Sequence, residues 1–212
     1  MNTEPEILKL IQKKGDFSDQ VAAKIIAKPK LLPVILEGVS SPTPRVKFRS
    51  AKILRIISIK APELLYPHWD FFIDLLNSDN SIIMWNALDV IANLTSTDSE
   101  HRFDEIFSQY YQFLEDESMV TAAHVVDNSA KIVINRPDLQ DKITEALLKV
   151  DKIPRDENCQ DILAGKAILT FQNYYDSIKD KDKVISFAEK QTTSKRNATR
   201  TKALKFLEKF KD

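Results

Sequence analysis

The chain has 212 residues, 31 of them basic and 31 acidic, with a formal net charge of zero; it is long enough for a sizeable core and carries no whole-molecule attraction to nucleic acid. Three glycines are too few for a protein built on tight hairpins or a doubly wound sheet, which favours an all-helical chain. The lone Cys159 excludes an intrachain disulfide framework and fits a reducing compartment, and no apolar run reaches the roughly 18 residues of a membrane span.

The start, Asn2-Thr3-Glu4-Pro5-Glu6, is acidic where a secretory leader is basic, so a soluble cytoplasmic protein is expected. Thr3 and Glu6 have the spacing of a capping box ahead of Ile7, Leu8 and Ile11. That predicts a helix over 4–13, closed by Gly15 in a left-handed conformation. Ser18 is placed to cap a second helix bearing Val21, Ala22, Ile25 and Ile26, which stops near Pro29. Residues 1–30 thus read as a short, polar pair of the kind that caps a helical array.

Leu32, Ile35, Leu36 and Val39 share one helical face, and residues 40–44 form a turn rich in serine and proline. The helix that follows, to about residue 58, has Val46, Ser50, Ala51, Ile53, Leu54 and Ile57 on one stripe and Arg45, Arg49 and Lys52 on another face. Ala61-Pro62 is expected to restart a helix through Leu64, Leu65, Trp69, Phe72 and Leu76, and residues 77–80 turn into a helix over 82–94. Phe103, Ile106, Tyr110 and Leu114 mark the next helix, and Ser118 caps a long one running past Val133. Pro137 opens a unit with Leu139, Ile143 and Leu147, partnered by Ile162, Leu163, Ala167, Ile168 and Phe171. The last pair sets Val184, Phe187 and Ala188 against Ala203, Leu204, Phe206 and Leu207.

The organising helix recurs. Residues 83–95 align with 46–58 without a gap, and residues 125–133 align with 46–54. Repetition about every 40 residues is the mark of a helical solenoid, in which no pair buries its own stripe until neighbours stack on it. The chain resembles HEAT repeats on a leucine-rich first helix, Leu31-Leu32-Pro33-Val34-Ile35-Leu36. It also has turns such as Ser78-Asp79-Asn80, and a second helix opening Arg45-Val46-Lys47-Phe48-Arg49-Ser50-Ala51. The last two units follow the pattern loosely, which leaves an armadillo-like array open. The resemblance implies a right-handed all-α solenoid of stacked antiparallel pairs, one domain over 1–212, with five repeats over 31–212. It also implies that the second helices line a concave face. On that face the aligned columns are Arg49, Asn86, Asn128 and Lys202, and beside them Lys52, Asp89, Lys131 and Lys205.

Charge is segregated along the chain. Residues 28–60 hold eight basic side chains and one acid, 61–120 hold twelve acids and one arginine, and 190–212 hold eight basic side chains and two acids. Two basic lobes around an acidic middle can orient a charged partner, or they are solvated faces compensated by neighbours. His68, His101 and His124 fall in different units without ligand spacing, so no metal or cofactor is expected. No nucleophile elbow or glycine-rich phosphate loop is present, and no catalytic constellation emerges. The expected function is a non-enzymatic scaffold that binds a protein or peptide, with Arg45, Arg49, Lys52, Lys202 and Lys205 meeting acidic groups. The alternative is nucleic-acid binding, resembling alkylpurine DNA glycosylases of HEAT-like build, with Trp85 stacking and Asp89 as the carboxylate. The acidic middle opposes it, because phosphate contacts need Lys or Arg.

Overall fold

The computed structural model describes residues 4–211, so the Thr3 half of the expected capping box lies outside the described residues. All regular structure among them is helical. Twelve α-helices follow in order: α1 (Glu4–Gln12), α2 (Ser18–Ala27), α3 (Leu32–Gly38), α4 (Pro44–Lys60), α5 (Trp69–Leu75), α6 (Ser81–Leu94), α7 (Arg102–Gln112), α8 (Met119–Asn135), α9 (Gln140–Leu147), α10 (Glu157–Gln172), α11 (Lys181–Gln191) and α12 (Asn197–Phe210). They form six consecutive pairs, an α-solenoid arrangement. The chain divides into two compact units, Met1–Glu100 and His101–Asp212. In the first unit α2 packs on α4 and α4 on α6, while α3 and α5 back onto α4 and α6. In the second, α8 packs on α10 and α10 on α12, backed by α9 and α11. No helix among the described residues is long and apolar enough to cross a membrane.

Local chemistry sets the helix ends. Pro44 occupies the first turn of α4, where its missing N–H costs nothing. The side chains of Asn80, Ser118, Asp156 and Asp180 cap α6, α8, α10 and α11. Gly15, at φ 102°, turns the chain between α1 and α2. Ser18 does not cap α2: its own N–H donates to Asp16 Oδ1 at 3.0 Å, in the turn before the helix. The two-residue reach of the aspartate satisfies the turn first.

Two expectations shift. A short 3₁₀ turn precedes each first helix from α3 onward, as at Pro29–Leu31, Pro62–Leu64 and Pro137–Leu139. After Pro62 the chain therefore makes two such turns before α5 begins at Trp69. Leu31 and Leu139 insert from these turns into the core.

The register of α8 also moves by one turn. Val46, Ser50, Ala51, Ile53, Leu54 and Ile57 are buried on α4, and Ile83, Ala87, Leu88, Val90, Ile91 and Leu94 match them on α6. Counted from the first residue of each helix, the matching buried set on α8 is Thr121, Val125, Val126, Asn128, Ser129 and Ile132. A helical stripe nearly repeats after each turn, so small-residue pairs one turn apart look alike in sequence; the Ser118 cap decides between them.

Each fully buried Leu, Ile or Phe contributes roughly 1.5–3 kcal/mol, and stacking is what buries both sides of the second helices. Edge-to-face rings join the layers, with Phe171 and Phe187 centroids 5.8 Å apart between α10 and α11. Tyr111 on α7 and Ser129 on α8 share a buried hydroxyl contact of 3.1 Å.

Candidate partner-binding face

In the first unit Arg45, Arg49, Lys52, Arg55 and Lys60 of α4 are engaged by the chain itself. Arg45 Nη1 donates to the Gln12 carbonyl at 2.9 Å. Arg49 Nη1 donates to the carbonyls of Ile11 and Lys13, both at 2.6 Å, and its Nη2 donates to Gly15. The last carbonyls of any helix lack intrahelical donors; here one guanidinium supplies several. Lys52 pairs with the Asp16 carboxylate and holds it well below the usual carboxylate range, helped by Ser18. Lys60 pairs with Asp19 at 3.1 Å. The cluster therefore fastens the first helix pair onto α4.

On α6, Asn86 donates its amide to the Ile82 carbonyl one turn earlier. Asp89 is mostly buried and takes Arg55 Nη1 at 3.3 Å. Trp85 is half-buried. The carboxylate required by a glycosylase reading is thus held by an arginine.

In the second unit the face away from α9 and α11 has a different character. Asp127, Lys131 and Ile134 share a side of α8, and Ile162, Lys166 and Leu169 a side of α10, by helical spacing. Lys202, Lys205 and Lys209 do the same on α12. The rows adjoin: Lys166 Nζ meets Asp127 Oδ2 at 2.5 Å, and the Thr170 hydroxyl donates to the Val126 carbonyl at 3.0 Å. Ile134 is 62% exposed and Leu169 43% exposed; Ile134 lies one turn from Lys131 and Leu169 one turn from Lys166. Lys202 is half-buried, and its ammonium is pushed down by burial and by the neighbouring Lys166 charge.

Of the sequence-level candidates, Lys131, Lys202 and Lys205 come to this face. Asn128 does not, because it takes a core position of α8, 6% exposed, and accepts from Lys131 Nζ at 3.3 Å. Lys166, Leu169 and Ile134 were not legible as site residues. Lys166 sits 39 residues from its partner Asp127, about one repeat, and that spacing is the signal that marks it.

Other clusters in this unit are occupied. Ligating atoms of His101, Asp104 and Asp138 lie within 4.8 Å of one another, but Arg136 bonds Asp104 at 2.7 Å and Asp138 at 2.6 Å. Its charge stands where a cation would have to sit. A cavity of about 520 Å³ between α9 and α11 is lined by Leu148, Phe187, Lys149 and Lys152 together with two internal ion pairs. These are Lys183 with Glu145 at 2.6 Å and Lys190 with Asp151 at 2.7 Å. Cys159 is a free, half-exposed thiol in the first turn of α10.

No family model matches the chain, and no curated protein matches it. Solved structures do. A designed armadillo repeat protein is similar over 97% of this chain and 99% of its own, with a TM-score of 0.59 and 15% identity. A crystal structure of an engineered protein from a structural genomics consortium is similar over 98% and 96%, with a TM-score of 0.57 and 16% identity. At such identities the likeness is one of fold: a helical-repeat solenoid.

Proposed function

We propose that the chain is a non-enzymatic binding scaffold that holds a protein segment along the second-helix face of His101–Asp212. The observation that carries the reading is the exposure of Ile134 and Leu169, each one turn from a lysine, Lys131 and Lys166, with Lys202 beside Lys166. Exposed aliphatic side chains ringed by charge suit a protein surface better than a small solute. Arg45, Arg49, Lys52, Asn86 and Asp89 fall outside the surface, since each is engaged within the first unit. The HEAT-like assignment is kept for the paired second helices. The 3₁₀ turn before each first helix gives a three-element unit and inclines it toward the armadillo type. A cytoplasmic setting agrees with the free thiol.

A peptide-display selection against the folded protein tests the proposal, with Ile134→Asp/Leu169→Asp as the comparison. Both positions are exposed, so the variant should keep the parent melting temperature to within a few degrees. Peptides enriched on the parent should lose at least about tenfold in affinity for the variant, as expected when an apolar anchor is replaced by a charge. Equal binding to both would show that the face is not used.

A further inference from the structure

Lys202 is seated where α12 comes nearest α10. A Cβ at Gly165 would lie 3.4 Å from Lys202 Cδ and 2.8 Å from Thr199 Oγ1, so glycine leaves the space that the lysine stem and the threonine use. Thr199 answers with a 2.7 Å hydrogen bond to the Asp161 carbonyl. Lys202 as a whole is half-buried, its stem against Gly165, and its ammonium has no acceptor among the described residues. The charged groups felt at Lys202 are Lys166, Arg196 and Asp127. Asp127 is already bonded by Lys166, and Arg196 Nη1 is turned to Asn158 Oδ1 at 3.2 Å. A partly desolvated cation beside a second cation, with one shared acid, is a position that an added anion stabilises.

The surroundings choose among anions. Leu169 lies one turn from Lys166 and is 43% exposed, and among the described residues of α8, α10 and α12 no exposed Phe, Tyr or Trp shares the side of Asp127, Lys166 and Lys202 for a base to stack on. A phosphodiester backbone gains nothing from the leucine, whereas a peptide can place a carboxylate and an apolar side chain on successive residues. We infer that the partner segment is acidic, with one carboxylate bridging Lys166 and Lys202 and a neighbouring aliphatic side chain resting on Leu169. This rests on the binding face proposed above and adds the chemistry of what binds there.

The test is fluorescence anisotropy on the full chain. The probes are a labelled peptide alternating glutamate and leucine, its glutamine counterpart, a polyglutamate peptide, and a single-stranded RNA oligonucleotide. The glutamate–leucine peptide should bind at least about tenfold tighter than each of the other three, and its affinity should fall as salt rises from 0.05 M to 0.5 M. Lys202→Met removes a charge that burial already disfavours, so the variant should melt no lower than the parent. It should nevertheless lose about tenfold in affinity for that peptide and nothing for the glutamine form. Lys202→Glu with a lysine–leucine peptide should restore binding. RNA or polyglutamate binding equally well would overturn the inference, as would unchanged affinity of Lys202→Met. If displayed peptides require Ile134 and Leu169 yet carry no acids, the inference fails and the binding face stands.

Discussion

At the scale of single residues, the polar contacts that matter are those that leave no buried group unpaired. Tyr66 in the first unit donates its hydroxyl to Asp98 Oδ1 at 2.7 Å, and Asp98 is 5% exposed. Burial, reinforced by that carboxylate, pushes the phenol up to about 12. A phenol whose folded pKa is raised adds stability that is fully present below the unfolded value near 10 and is lost as pH rises through about 12. Tyr66→Phe should therefore cost about 1–2 kcal/mol at neutral pH, since it strips a donor from a buried carboxylate. It should also flatten the fall in stability between pH 10 and 12 that the parent shows in chemical denaturation. A parent curve level across that window would sink the account of Tyr66.

At the scale of helices, arginine anchors do work that apolar stripes cannot. The pair α1–α2 stands at the start of the array, and Arg49 ties the end of α1 to α4 through three carbonyls. Arg49→Met keeps much of the stem but frees those acceptors. Hydrogen exchange of α1 and α2 amides should speed up by about tenfold or more, while α6 is unchanged. Uniform acceleration through α6 would mean that the first pair does not open by itself. This role was hidden in the sequence: Arg45, Arg49 and Lys52 read as a free basic stripe because their acceptors are backbone carbonyls and a turn aspartate more than thirty residues away. The apolar stripe of α4 was legible, because period 3.6 is imposed by the helix itself. The register of α8 was not, because its small residues fit two adjacent turns equally well. The 3₁₀ turns escaped for a similar reason, since proline signals a restart without specifying which helix type follows.

At the scale of the whole molecule, what looks like charge segregation in the sequence becomes pairing at the repeat spacing. Within the first unit Lys60 reaches back 41 residues to Asp19. Within the second, Lys166, Lys179, Lys183, Lys190 and Lys195 each reach an acid 38 or 39 residues earlier. Exposed pairs of this kind add roughly 0–1 kcal/mol each, so they are no main source of stability. Their consequence is to cancel most of the local field, so the proposed binding relies on the cations of α12 that these pairs leave over. The central claim is that binding uses the second helices of His101–Asp212 and not the surface of α9 and α11. Hydrogen exchange on the full chain, saturated with a display-selected peptide, addresses it most directly. Protection confined to α8, α10 and α12 is the predicted result; protection centred on α9 and α11, around Phe187 and Lys149, would contradict it.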